Sequence, residues 1–265
     1  MSVVKSNPPR HDVKCHAGKC YLVGAGPGPI DLLTMKAVRL IQAADVIVYD
    51  DLGAQEAVAT YARASCEKVY VGKRGGELSI KQVEIDKILV SLTQQGKQVV
   101  RLKGGCPSVF SRVASELRAL EEAHLEWELV PGVSSVLAAP LLAGFPLTDV
   151  QLGSAFAVVT GHDVSGVQWG AFTPTSTPSL VIIMGGRNLA LICAEMQGVG
   201  AWPATTPVAV IKSAANPDMR VWLSTLGTVV ADTLGERLSP CVIVVGGVVA
   251  SAVARPSQFK DLNPE

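Results

Sequence analysis

Aromatic residues make up only 5% of this 265-residue sequence and charged residues only 17%, so neither ring-stacking surfaces nor solvated charge tracts dominate it. Lys plus Arg equals Asp plus Glu at 23 each, so no net field of either sign selects nucleic acid or an anionic membrane surface. The longest apolar stretches, such as Val242 to Val253, are broken by glycine or too short to span a bilayer. The six cysteines form no CxxC pair and no dense framework, which excludes a disulfide-stapled fold and points to a reducing compartment. His11, Cys15, His16 and Cys20 match no common zinc spacing, so no metal site is expected. Residues 1–19 carry Lys5, Arg10, Lys14 and Lys19 against Asp12 and contain no apolar h-region, so they do not read as a secretory signal. They read as a flexible extension or the stub of an organelle-targeting segment. What is abundant is aliphatic: 48% of the chain is hydrophobic, with 25 glycines, enough for a sizeable core and, at this length, two domains.

From residue 20 onward short aliphatic runs alternate with amphipathic stretches. The runs Cys20–Val23, Val46–Tyr49, Lys68–Val71, Val99–Lys103 and Trp127–Val130 read as strands. Ile30–Ala43, Ser79–Gln95 and Val109–Ala123 read as helices, the second with Ile85, Ile88, Leu89 and Leu92 at helical spacing. Such alternation predicts βαβ units around a mostly parallel sheet. Pro131-Gly132 punctuates the chain, giving an expected N-terminal α/β domain over 20–130 and a C-terminal one over 131–265. In the second, strands are expected at Ser154–Thr160, Leu180–Met184, Pro207–Ile211 and Cys241–Val245, and the alternating Met219-Arg-Val-Trp-Leu223 suits an antiparallel strand. A ligand is expected in the cleft between two such domains.

The first strand runs into Gly24-Ala-Gly-Pro-Gly-Pro29, a turn in which glycines let a ligand approach the backbone. The third glycine of a dinucleotide fingerprint is replaced here by Pro29, which argues against a nicotinamide cofactor. Val99-Val-Arg-Leu-Lys-Gly-Gly-Cys-Pro107 delivers Arg101 and Lys103 on one strand face before paired glycines. With Lys73, Arg74 and Arg112, these cations gather at or beyond the carboxyl ends of strands, where open α/β sheets bind ligands. A neutral chain that concentrates cations there suits a polyanionic substrate.

These blocks, in order, carry a resemblance. Tyr21-Leu-Val-Gly-Ala-Gly-Pro-Gly28, Leu33-Thr34, Val48-Tyr-Asp50, Val71-Gly-Lys73, Val100-Arg-Leu-Lys-Gly-Gly105, Val130-Pro-Gly-Val133 and Thr160-Gly-His162 resemble the uroporphyrinogen-III C-methyltransferases of the tetrapyrrole methylase superfamily. The resemblance covers residues 20–250. It implies a two-domain α/β homodimer, free of nucleic acid and membrane and placed in the cytoplasm or an organelle's soluble phase. It implies transfer of methyl groups from S-adenosylmethionine to an anionic tetrapyrrole, giving precorrin-2 for sirohaem or corrinoids. Carried over by position, cofactor contacts fall on Pro27, Gly104, Gly105, Cys106, Val109, Ser134, Ser135, Met184 and Ala214. Asp50 and Lys73 would transfer protons, and Arg112, Lys103 and Glu116 would stand on the substrate side.

The chain departs from the family pattern at several of these places. Gly-Gly-Asp-Pro is here Gly104-Gly105-Cys106-Pro107, and Phe-Gly-Arg-Gly-Gly-Glu-Glu is Phe110-Ser-Arg-Val-Ala-Ser-Glu116. Tyr-Asp-Arg has become Tyr49-Asp50-Asp51, and Thr-His-Arg has become Thr148-Asp149-Val150. Cys106 is expected to be a tolerated replacement whose thiol is acidified by the neighbouring Lys103. A methylase of another tetrapyrrole, or a paralogue that binds tetrapyrrole without turnover, are the alternatives on the substrate side.

Overall fold

The computed structural model describes residues 18–50, 54–72 and 80–252. Within these the chain forms two compact units, one of residues 18–26 with Ile30–Gly132 and one of Pro27–Pro29 with residues 133–252.

The first unit contains β1 (Lys19–Gly24), α1 (Met35–Ala43), β2 (Val46–Tyr49), α2 (Ala54–Tyr61), β3 (Glu67–Tyr70), α3 (Gln82–Gln94), β4 (Val99–Lys103), α4 (Val113–Glu122) and β5 (Glu126–Val130). Every pairing is parallel, in the order β3-β2-β4-β1-β5. The expected strands are all present, with ends moved by a residue or so. Period-2 alternation then decides which layer each β4 side chain meets. Val100 and Leu102 pack with Ala37, Leu40, Ile41, Ala57 and Val58 beneath α1 and α2. Val99 packs with Ile85, Leu89 and Leu120 beneath α3 and α4. Because β4 is interior to the sheet, Arg101 and Lys103 follow Val99 into that second layer and not into water.

Helix starts follow local chemistry. Thr34 caps α1, its hydroxyl oxygen accepting the Ala37 amide at 3.1 Å, which accounts structurally for the Leu33-Thr34 block. The helix expected from Val109 begins only at Val113, because Phe110 (φ 44°) and Arg112 (φ 60°) hold left-handed backbone just before it. Helix α2, Ala-rich and weakly patterned, was not anticipated from the sequence.

The second unit contains α5 (Ser135–Leu142), β6 (Phe156–Thr160), β7 (Ser179–Ile183), α6 (Leu189–Gln197), β8 (Pro207–Lys212), β9 (Arg220–Thr225), α7 (Val229–Asp232) and β10 (Cys241–Gly246). The sheet order is β6-β7-β10-β8-β9. Only β6 and β7 pair in parallel; β10 runs antiparallel to β7 and β8, and β9 antiparallel to β8. The mostly parallel expectation holds for the first sheet, and the antiparallel strand expected at Met219–Leu223 is β9. Residues 213–219 join β8 to β9, too short a stretch for a parallel crossover. The core gathers Leu180, Ile182, Ile192, Met196, Val208, Val210 and Ile243 around two tryptophans. Both indoles satisfy their N–H on backbone, Trp169 on the Val164 carbonyl at 2.9 Å and Trp202 on that of Phe172 at 2.6 Å. No helix among the described residues is long and apolar enough to cross a membrane.

Candidate functional site

In the first unit the loops leaving β1, β4 and β5 meet at the carboxyl ends of the strands. The Ala25 amide donates to the Lys103 carbonyl at 2.7 Å, and Gly26 and Gly105 exchange amide-to-carbonyl bonds at 3.1 and 2.7 Å. A Cβ at Gly24 would stand 2.6 Å from the Gly105 oxygen and from the Gly132 Cα; one at Gly132 would stand 2.4 Å from that same oxygen. So Gly24 serves the approach of backbone to backbone, where the sequence suggested the approach of a ligand. Gly105 is the different one: its φ is +67°, and a Cβ there would meet nothing within 4 Å. Backbone faces open space at that point.

Beneath this rim lies a buried ionic network. Arg101 and Lys103 are 3% and 4% exposed, and Glu116 on α4 is fully buried. Lys103 Nζ donates to both Glu116 carboxylate oxygens at 2.7 Å, and Arg101 Nε donates to Glu116 Oε1 at 3.1 Å. Arg101 also donates from Nη1 to the Leu102 carbonyl at 3.0 Å and from Nη2 to Asp50 Oδ2 at 3.0 Å. Burial pushes the Lys103 ammonium below the ordinary lysine range despite the attraction of Glu116. Lys103 and Glu116, placed on the substrate side by the resemblance, face each other here. Asp50, just past the end of β2, shows the one asymmetry: its Oδ1 is buried and has no hydrogen-bond partner among the described residues. Unsatisfied buried carboxylate oxygens are rare in folded proteins, and this one stands just past the carboxyl end of β2.

The Arg101 network is what sequence reasoning missed. Its signal was present: a charge on an interior strand of a two-faced sheet needs a buried counter-ion, and α4 supplies Glu116 one helical layer away. Lys73, Arg74 and Asp51 lie outside the described residues.

Cys106 is half-buried, its sulfur 3.0 Å from the Ser108 hydroxyl. Burial raises this thiol, but hydrogen bonds from Ser108 and from the backbone of Gly132 and Ser108 outweigh it, leaving the thiol below its ordinary range. Lys103, expected to be the cause, is turned toward Glu116. Burial raises Cys66, and raises Cys20 to about 12 and Cys193 and Cys241 to about 11. Cys106 should therefore be alkylated first among these five when the native protein meets iodoacetamide near neutral pH. Peptide mapping that found Cys66 or Cys241 modified ahead of it would refute this.

Arg112 is exposed, with no ion pair among the described residues, and stands at φ 60° as the residue before α4. Val109 completes a turn onto the Cys106 carbonyl at 3.2 Å. In the second unit, Met184 follows β7 at φ 57° and is 48% exposed, while Ala214, after β8, is buried between left-handed Ser213 (49°) and Ala215 (70°). Ser134 caps α5, its hydroxyl accepting the Val136 amide at 3.3 Å, and Ser135 is the first helical residue. Pro27 belongs to this unit by its packing, and a Cβ on the adjoining Gly28 would meet the Asn216 side chain at 2.7 Å. Five of the seven described non-glycine residues with positive φ thus follow strands β4, β7 and β8, and backbone strain of this kind collects where function holds it in place. Asp149 is drawn into its own turn, its Oδ1 accepting the Gln151 and Leu152 amides at 2.8 and 3.0 Å.

S-adenosylmethionine is implied by the resemblance, and each unit, taken by itself, offers a group that fits it. In the first unit the open face of Gly105 is a place a Cβ would fill; in the second, Met184 is an exposed thioether on left-handed backbone.

Residues 19–230 match the family model of the tetrapyrrole (corrin/porphyrin) methylases. The uroporphyrinogen-III C-methyltransferase of Synechococcus elongatus is 44% identical over 232 residues, 88% of this chain and 94% of that protein. That of Methanocaldococcus jannaschii is 42% identical over 235 residues, covering 88% of this chain and 97% of the relative. Among solved structures, uroporphyrin-III C-methyl transferase from Thermus thermophilus complexed with S-adenyl homocysteine superposes with a TM-score of 0.75 at 36% identity, covering 88% of this chain and 99% of that one. The chain belongs to the tetrapyrrole methylase family.

Proposed function

We propose that this protein is an S-adenosylmethionine-dependent methyltransferase that converts uroporphyrinogen III to precorrin-2, on the route to sirohaem and corrinoids. The observation that carries the reading is Asp50, a carboxylate with one oxygen tied to Arg101 and the other buried and without a partner among the described residues. The family membership and the relatives' activity support the substrate and the donor. The reading includes a homodimer that is soluble in a reducing compartment and needs neither nucleic acid nor membrane.

When bound, the donor supplies an activated sulfonium methyl that a ring carbon of an electron-rich pyrrole takes up by in-line displacement. The protein's own part is orientation and one proton transfer. The Gly104–Gly105 backbone, Cys106, Val109 and Pro27, with Ser134, Ser135, Met184 and Ala214, hold the donor, and Arg112 fixes a substrate carboxylate. After methylation the macrocycle carries a positive charge shared with the pyrrole nitrogen. The C–H bond at a bridging carbon breaks, its electron pair forms a double bond to the ring that discharges the nitrogen, and the Asp50 carboxylate receives the proton. Lys73 is assigned to the same exchange from the resemblance alone.

Anaerobic incubation with S-adenosylmethionine and uroporphyrinogen III should yield a product heavier by two methyl groups in mass spectrometry. Tight binding of S-adenosylhomocysteine with no methyl gain on this substrate would overturn the substrate, while failure to bind it would overturn the donor as well.

Arg112 separates two effects that its backbone combines. Arg112→Ala keeps the left-handed strain and loses the guanidinium; Arg112→Gly loses both. Each should weaken use of the tetrapyrrole roughly 10- to 100-fold, the worth of one charge-assisted bidentate contact, with donor affinity unchanged. The glycine variant should also unfold later than the alanine variant, by about 1 kcal/mol. Equal loss of affinity for both ligands would show that Arg112 supports the donor pocket instead.

A further inference from the structure

We propose that Arg101 is the positioning residue for Asp50, and that Glu116 and Lys103 exist to hold Arg101 in that task. The proposal rests on the reading of Asp50 as the proton acceptor. Its basis is geometric. Val48 of β2 stands beside Arg101 of β4 in register, so Asp50, two residues past Val48, lies on the same sheet face and one step beyond Arg101. Register alone would offer Asp50 to Lys103. Lys103 instead puts its ammonium on both oxygens of Glu116, and the long guanidinium of Arg101 reaches back to Asp50.

All three guanidinium nitrogens are engaged: Nε on Glu116, Nη1 on the backbone carbonyls of Leu102 and Val48, Nη2 on Asp50. A planar fork held at three corners has no rotational freedom left. It therefore presents Nη2 to Asp50 at a fixed place and angle. A carboxylate bonded through Oδ2 is restrained about its last torsion, so the whole group, including the buried Oδ1 that has no partner among the described residues, is held in one orientation. Glu116 is the anchor of the arrangement. It is fully buried, and it is the counter-ion that lets two cations occupy neighbouring positions on one strand face. Gln82 on α3 reaches the anchor, its Nε2 donating to Glu116 Oε1 at 3.5 Å and to Asp86 Oδ1 at 2.8 Å, while the Ser115 hydroxyl donates to Asp86 Oδ2 at 2.7 Å. The charges that the sequence offered as hands for an anionic substrate form the frame behind the base.

The test uses the full chain with S-adenosylmethionine and uroporphyrinogen III, and compares Asp50→Asn, Arg101→Gln, Arg101→Lys and the double variant Asp50→Asn/Arg101→Gln. Folding of each is checked by near-ultraviolet circular dichroism and by S-adenosylhomocysteine affinity. Arg101→Gln should lower kcat about a hundredfold, the effect of a misaimed catalytic group, and leave KM for the tetrapyrrole within about twofold. Arg101→Lys should recover part of kcat, because one ammonium can serve Asp50 or Glu116 but not both. The double variant should be no slower than Asp50→Asn. Wild-type kcat in either Arg101 variant, a KM rise without loss of kcat, or additive losses in the double variant would each overturn the proposal while Asp50→Asn stays slow. Wild-type turnover by Asp50→Asn would remove the base reading itself, and this proposal with it. If Arg101→Gln fails to fold, Arg101→Lys carries the same comparison.

Discussion

Glu116→Gln is expected to lower the unfolding free energy by about 3–5 kcal/mol, because it strips a buried pair of cations of their shared counter-ion. The amide is nearly isosteric, so cavity formation contributes little and the loss reports charge. Arg101 would keep Asp50, but Lys103 would keep no anion at hydrogen-bond distance. Burial already draws the Lys103 ammonium below the ordinary lysine value, and Glu116 is the main influence holding it up. Without Glu116 it must fall further. The sign of the pH dependence follows: between the lowered folded value and the ordinary value near 10.5, the unfolded chain binds more protons than the folded one, so stability rises with pH. The deficit of Glu116→Gln should therefore be largest at neutral pH and shrink as pH climbs toward 10.5. Urea unfolding followed by circular dichroism at neutral and alkaline pH measures both. Lys103→Met in the same background should restore much of the loss, since it removes the charge that Glu116 had balanced. A loss near zero in the single variant, or no recovery in the double one, would show that Glu116 is not the anchor of this network.

The strands and the residues of the proposed site were more legible in the sequence than the contacts around them. Strand positions could be read because aliphatic β-branched runs bounded by glycine have few other uses, and the first sheet could be read as parallel because its strands are separated by amphipathic helices. Helices α5 and α6 escaped because SVLAAPLL and LALICAEMQ are apolar nearly all round and show no stripe to count. The antiparallel β10 escaped because pairing direction depends on which strand lies alongside, a tertiary fact. Arg101, Lys103 and Arg112 were all visible as cations near strand ends, yet only Arg112 is exposed. Local pattern gives the face a side chain occupies; what covers that face comes from α4, a dozen or more residues away. Glu116 was legible as an acid and illegible as a partner. The same holds at Cys106, where Lys103 is near in sequence but the groups that acidify the thiol are Ser108 and the Gly132 backbone.

Gly24→Ala should be among the costliest single-methyl additions in the protein, at about 3 kcal/mol or more, and its effect should reach the donor. Neither Gly24 nor Gly132 needs a left-handed backbone, so dihedral strain is not the reason. The reason is contact. The added Cβ would lie 2.6 Å from the Gly105 oxygen, the Gly132 Cα and the Gly132 nitrogen, all of them backbone. No side-chain rotation relieves a clash with backbone; one of three loops must move, and overpacking of that kind costs more than the usual small-to-large core change. Gly96→Ala provides the contrast. Gly96 has φ +79° and nothing within 4 Å of a Cβ, so it should lose only the 1–2 kcal/mol typical of left-handed alanine. The two variants also differ in what moves. Gly105 is bonded to Gly26 in both directions, so relief at Gly24 displaces the Gly104–Cys106 loop that the proposed reading gives to the donor. Calorimetry should therefore show S-adenosylhomocysteine affinity falling at least tenfold in Gly24→Ala and unchanged in Gly96→Ala. If Gly24→Ala binds the homocysteine as wild type does, the loop has absorbed the methyl without moving, and the junction of the three backbones does not govern the donor site.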